Sequence, residues 1–234
     1  FSTLAAGDDR SRDDGAELHR NKSGEALTLS STGRIDRTNP FFASLGANGR
    51  SCESCHQAAD GWTITPRGVR ERFQATGGKD PIFRLVDGAN SPNADVSTRA
   101  AREKAYSMLL TRGVIRVGMP IPATAEFELA AVDDPYGFAS AAELSLFRRP
   151  LPATNLSSLT AVMWDGRETA TPFHPPMDAG VDYSDLVASL GSQANDAILG
   201  HEQAAAPPSA DQLAEIIDFE SHLTVWRVPG GAVQ

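Results

Sequence analysis

Cysteine is scarce: Cys52 and Cys55 are the two among 234 residues. A disulfide-dense scaffold is excluded, and so is a four-thiolate zinc site, which needs a second pair. Basic residues are outnumbered, 21 Lys and Arg against 30 Asp and Glu, giving a net charge of −9. Nucleic acid is therefore excluded as a partner, because neutralising phosphate takes a basic face. The acidity would steer a basic redox partner, and it serves plain solubility equally well. No apolar run approaches the length of a membrane span, so no transmembrane segment is expected. Histidine is sparse too, with five in all and none between His56 and His174. What remains is 41% hydrophobic, a globular composition able to bury a core around a cofactor.

The two cysteines stand in Cys52-Glu53-Ser54-Cys55-His56. C-x-x-C-H is the attachment pattern of a c-type haem. The two thiols add across the porphyrin vinyl groups, and the histidine that follows meets the iron as proximal ligand. A thioredoxin-type pair would want a βαβ context, and none is legible around Cys52. One covalent haem c per chain is the expectation. Haem c is attached outside the cytoplasm, so the chain is expected to be periplasmic or extracellular, its leader removed before Phe1.

Residues 1–35 are polar, with Asp8, Asp9, Asp13 and Asp14 among arginines, and read as an irregular arm in which His19 is solvated. Residues 36–228 read as the haem domain and 229–234 as a linker-like tail. Asn39–Gly46 reads as a short helix with Pro40 at its first position. There Phe41 and Phe42 are expected to cover one haem edge. Thr65-Pro66 opens a helix to Thr76, and 77–96 read as loop. Helical stripes predict helices over Ser97–Arg112, Ser184–Gly200 and 210–225, the last opened by a Ser209/Gln212 capping box. Leu186, Leu190, Ala194, Ala197 and Ile198 form one stripe, and Leu213, Ile216 and Ile217 another. Val114–Val117 and Phe127–Val132 read as two short strands, a hairpin with a long connection. The fold expected is mainly α with a minor β-hairpin.

Several phrases coincide along the chain. Asn39-Pro-Phe-Phe-Ala-Ser-Leu-Gly-Ala-Asn-Gly-Arg50 leads into the haem motif. Phe147-Arg-Arg-Pro-Leu-Pro152 precedes Met163-Trp164-Asp165-Gly166-Arg167, and Gln212–Glu220 runs into Leu223. Over roughly residues 36–226 the chain resembles the haem-bearing N-terminal half of the bacterial di-haem cytochrome c peroxidase superfamily. The resemblance implies a cytochrome c-like domain enlarged by insertions. It implies that Trp164 lies on an electron route toward a second haem; from the residues alone, Trp164 reads equally as a buried aromatic. Two features depart from the pattern. There is no second C-x-x-C-H, and no histidine follows soon after the first.

The second axial position has few candidates. His201 extends the Leu186–Ala197 stripe if the helix runs past Gly200, and is the leading one. Met119 and Met177, each beside prolines, are alternatives, as is an open distal site. His174 sits in a stiff Phe-His-Pro-Pro loop, and His222 is expected to face solvent or a neighbour. Arg67, with Arg50, Arg70 and Arg84, is a candidate partner for haem propionates, since a guanidinium suits a carboxylate. The expected function is electron transfer to a redox partner protein or second haem domain. The alternatives are the haem half of a di-haem peroxidase or oxygenase, and a structural subunit with a vestigial haem.

Overall fold

The computed structural model describes residues 10–11, 15–21, 24–138, 140, 142–159, 161–169 and 183–228. Along the chain run β1 (Arg10–Ser11), β2 (Ala16–Asn21), β3 (Gly24–Ser30), α1 (Pro66–Thr76), α2 (Arg99–Ala105), α3 (Ser107–Arg112), β4 (Ile115–Gly118), β5 (Ser145–Arg148), α4 (Tyr183–Gly200), α5 (Ala210–Ser221) and β6 (Leu223–Val228). Single 3₁₀ turns occur at Pro40–Phe42, Cys52–Ser54, Ala58–Asp60 and Leu156–Ser158. The structure is 34% helical with 14% strand, a mixed α/β fold with two small sheets. The expectation of a mainly α fold is thereby corrected. The chain forms two compact units, Phe1–Thr63 with Leu151–Gln234, and Ile64–Pro150.

In the first unit an antiparallel sheet runs β1-β2-β3-β6. Leu18 pairs with Leu27, and Leu27 with Trp226. Much of this sheet comes from the segment read as an irregular arm. Its polarity hides the period of two: Ala26, Thr28 and Ser30 alternate with Leu27 and Leu29, and the residue that is wholly buried is the polar Thr28. His19 is consequently 6% exposed rather than solvated, with Nε2 3.3 Å from the Glu17 carboxylate that also takes Arg37.

The helices of this unit follow their stripes. α4 buries Leu186, Leu190, Ala194 and Ile198, and α5 buries Ile216 and Ile217. The capping box forms in both directions, Gln212 N–H to Ser209 Oγ at 3.1 Å and Ser209 N–H to Gln212 Oε1 at 2.9 Å. α5 stops at Ser221, short of 225, because the β-branched and aromatic run Leu223–Val228 pairs with β3 instead. Phe41, Phe42, Trp62 and Phe219 form an aromatic core cluster, the Phe41–Phe219 centroids 5.0 Å apart.

In the second unit Thr65 Oγ1 caps α1 by accepting from Gly68 N–H at 3.0 Å, and Gly77 ends the helix in the left-handed region. The helix read over Ser97–Arg112 is two, α2 and α3, divided at Tyr106. Buried Tyr106 donates its hydroxyl to Phe83 O at 3.2 Å. β4 matches the first strand read, but its partner is β5, with Ile115 opposite Arg148. Residues 127–132 are not a strand; Phe127 and Val132 are exposed, and among the described residues no strand pairs with them.

The Trp62 indole N–H donates to Thr28 Oγ1 at 3.0 Å, both residues being wholly buried. Replacing Thr28 by Val strands that donor, so unfolding free energy in urea should fall by about 1–3 kcal/mol. An unchanged midpoint would show that the bond contributes nothing.

Candidate functional site

The C-x-x-C-H run begins on a single tight turn. Cys55 N–H and His56 N–H both donate to Cys52 O, at 3.1 and 3.0 Å. Ser51 N–H donates to Ser54 Oγ at 3.0 Å, so the turn is held from its entry side. Neither cysteine is joined in a disulfide.

Residues 57–63 then close a ring. Gln57 N–H donates to Thr63 O at 3.0 Å and Trp62 N–H to Gln57 O at 2.8 Å. Closure forces Trp62 to φ 60°, a left-handed conformation that bulky residues rarely adopt. Its carbonyl accepts from Ala153 N–H at 3.0 Å and from His56 Nδ1 at 3.0 Å. A carbonyl can only accept, so the imidazole proton sits on Nδ1 and the lone pair on Nε2. That is the tautomer a metal-ligating histidine needs, with the outer partner already in place.

Cys52, Cys55 and His56 each keep some exposed surface. Burial is nonetheless the largest influence on two of them, pushing the Cys52 thiol well up and the His56 imidazole down. All three side chains are thus half-buried. His201 lies close enough that its charge also lowers His56. His201 N–H donates to Ala197 O at 2.7 Å, so the helical path of α4 continues past Gly200 and keeps His201 near its apolar stripe. The donor set suits haem c: two adjacent thiols, one imidazole with a free Nε2, and a second imidazole nearby. Among the described residues no group of three or more His, Cys, Asp or Glu is arranged to hold a bare metal ion.

Two buried carboxylates flank the same thiol. Glu202 Oε2 accepts from Leu45 N–H at 3.0 Å, while its Oε1 lies 3.8 Å from Cys52 Sγ. Glu220 is 5% exposed, and burial pushes its carboxyl up to about 8. Among the described residues no donor or cation is seated on that carboxyl. Glu220 and Glu202 both raise the Cys52 thiol further.

The remaining sequence candidates are dispersed. Phe41 is wholly buried, its ring 6.2 Å from His56, and Phe42 adjoins it under the Arg37 guanidinium at 4.9 Å. Arg67 and Met119 belong to the second unit. There Arg67 Nε is 3.8 Å from Glu71, and Met119 N–H donates to Leu144 O at 2.8 Å. Met177 and His174 lie outside the described residues. Trp164 is 61% exposed, on a turn closed by Gly166 N–H to Met163 O at 3.2 Å, and so is not a buried aromatic. His222 donates from Nδ1 to Asp218 O at 2.7 Å.

Trp62, Glu202, Glu220 and Asn48 were missed from the sequence. For Glu220 a signal existed: it continues the apolar stripe Leu213, Ile216, Ile217 at helical spacing. For Trp62 none did, because the work is done by its carbonyl. Compared with protein-family models, with curated proteins and with solved structures, the chain has no match.

The raised Glu220 carboxyl has a sign. Folded, it holds its proton to about pH 8; unfolded, it ionises near 4.5. Its contribution to stability is full below pH 4.5 and is lost as pH rises through 8. The loss is on the order of 5 kcal/mol, at about 1.36 kcal/mol per pKa unit. Glu220→Gln should flatten this fall in urea unfolding measured from pH 5 to 8, and should stabilise the protein at pH 8. Parallel curves for the two proteins would contradict it.

Proposed function

We propose that this chain is a c-type haem protein, with one haem held covalently by Cys52 and Cys55 and ligated by His56. The observation that carries the reading is the His56 Nδ1–Trp62 O bond, which leaves the lone pair on Nε2 in a C-x-x-C-H turn whose two cysteines are half-exposed. More particularly, we read it as an electron-transfer domain similar to the N-terminal half of the di-haem cytochrome c peroxidases, with His201 as the distal ligand. The bond from Arg50, two residues before Cys52, to the His201 carbonyl oxygen at 3.1 Å brings His201 to the motif and supports that assignment.

Bound there, haem c supplies one-electron chemistry at iron. The chain's own residues do the rest. Trp62 O fixes the His56 tautomer and ring plane. His201, at the end of α4, would serve as the second iron ligand and would keep exogenous ligands away. The buried ring cluster of Phe41, Trp62 and Phe219 excludes water beside His56. Exposed Trp164 supports an encounter with a redox partner or second haem domain at that indole. Among the described residues no helix is long and apolar enough to cross a membrane. Covalent haem attachment implies export, to the periplasm or beyond.

Denaturing mass spectrometry should show one haem added to the polypeptide. The ferric spectrum should be six-coordinate and low-spin, and His201→Ala should turn it high-spin. A polypeptide without haem would remove the reading. A high-spin wild-type protein turning over peroxide would replace electron transfer with the peroxidase alternative.

A further inference from the structure

Distal ligation by His201 poses a mechanical problem. His201 lies one residue beyond the last residue of α4, and helix ends fray because their final carbonyls lack intrahelical partners. The stretch that follows is largely exposed, and Gln203 takes a left-handed φ of 57°. Backbone bonds to Ala197 O and Ile198 O close the end of α4, but an axial ligand has to be held within about 0.5 Å, which calls for support from outside the helix end as well.

The anchor comes from another part of the chain. Asn48 Nδ2–H donates to His201 O at 2.8 Å, and Arg50 Nη1–H donates to the same oxygen at 3.1 Å. Arg50 is 1% exposed, an unusual burial for a guanidinium. Asn48 Nδ2 also reaches Gln203 Oε1 at 3.2 Å, and its Oδ1 accepts from Arg50 N–H at 3.1 Å. Backbone bonds reinforce these: Ala47 N–H to Gln203 O at 3.3 Å and Asn48 N–H to Glu202 O at 3.4 Å. Leu45 N–H takes the Glu202 carboxylate. Gly46 permits the approach, since a Cβ there would overlap the carbonyl oxygen of Glu202.

We infer that Leu45–Arg50 is a positioning clamp for the distal iron ligand, in which Asn48 and Arg50 fix His201 through its carbonyl oxygen. The inference rests on the bis-histidine reading above and extends it. The clamp leads directly into Cys52, so the segment that carries the thioether links also fixes the opposite ligand. Distal and proximal sides thereby share one short piece of backbone. Asn48 and Arg50 touch neither iron nor porphyrin in this role. They act through His201, setting how often it lets go.

Haem-loaded Asn48→Ala, Arg50→Gln and the double variant test this, with cyanide and imidazole as probes. His201→Ala defines the fully open site, and Arg72→Ala, which breaks the Arg72–Asp80 pair in the other unit, controls for lost stability. In the double variant, affinity for both probes should rise about tenfold or more, the equivalent of losing one or two hydrogen bonds. A partial high-spin band should appear while far-UV circular dichroism stays native. Gly46→Ala should act in the same direction, and the polar variants stand on their own if it fails to fold. Arg72→Ala should leave probe affinity unchanged. If His201→Ala opens the iron but the double variant binds both probes as wild type does, the clamp is structural only and the proposal falls while bis-histidine ligation stands. If His201→Ala changes nothing, ligation by His201 falls and the clamp with it.

Discussion

One carbonyl organises the first unit. Trp62 O accepts from His56 and from Ala153, while its indole N–H reaches Thr28 on the sheet and its ring packs on Phe41 and Phe219. Each contact constrains the others. The left-handed backbone at Trp62 is a cost that the closed ring 57–63 and the buried indole jointly offset. What results is an imidazole whose proton is committed to one nitrogen. Sheet, aromatic core and motif converge there, so a change in any of them reaches the free nitrogen of His56.

Electrostatics near Cys52 is set by burial more than by pairing. Arg50 is the cation that offsets Glu202, and Glu202 still stays above its usual carboxylate range because it is desolvated. Glu220 lacks even that compensation. Glu220, which holds its proton to about pH 8, adds no negative charge beside that thiol at neutral pH, and this suits a neutral, hydrophobic cofactor edge better than an ionised carboxylate would. Burial, and after it the two acids, keeps the Cys52 thiol from ionising early.

How much of this was legible depended on whether the signal was local. C-x-x-C-H is local and needed no fold. The α4 and α5 stripes and the Ser209 capping box are local and formed as read. The sheet was not, because β3 pairs with β6 across nearly the whole chain and its buried center is a threonine. Helix propensity carried the reading of α5 past Ser221, where only the distant partner strand decides otherwise. Likewise Leu146 and Phe147, not Phe127 and Val132, found a strand partner, and alternation alone could not choose between them. That His201 continues the path of α4 was legible from the stripe, but the residues that bond its carbonyl were not, since Asn48 and Arg50 reach it over a separation of about 150 residues.

The separation between Cys52 and Glu202 bears on how such a protein is made. Cys52 Sγ meets the Glu202 carboxylate 150 positions further along the chain. A chain threaded from its N-terminal end presents both thiols well before the residues that wall them in. Ring closure at 57–63 needs only local bonds, so His56 can acquire its tautomer early, ahead of α4 and α5. On the haem c reading, maturation has a built-in order: the attachment apparatus meets an open, half-built pocket, and the arrival of residues 201–203 afterwards seals in the product.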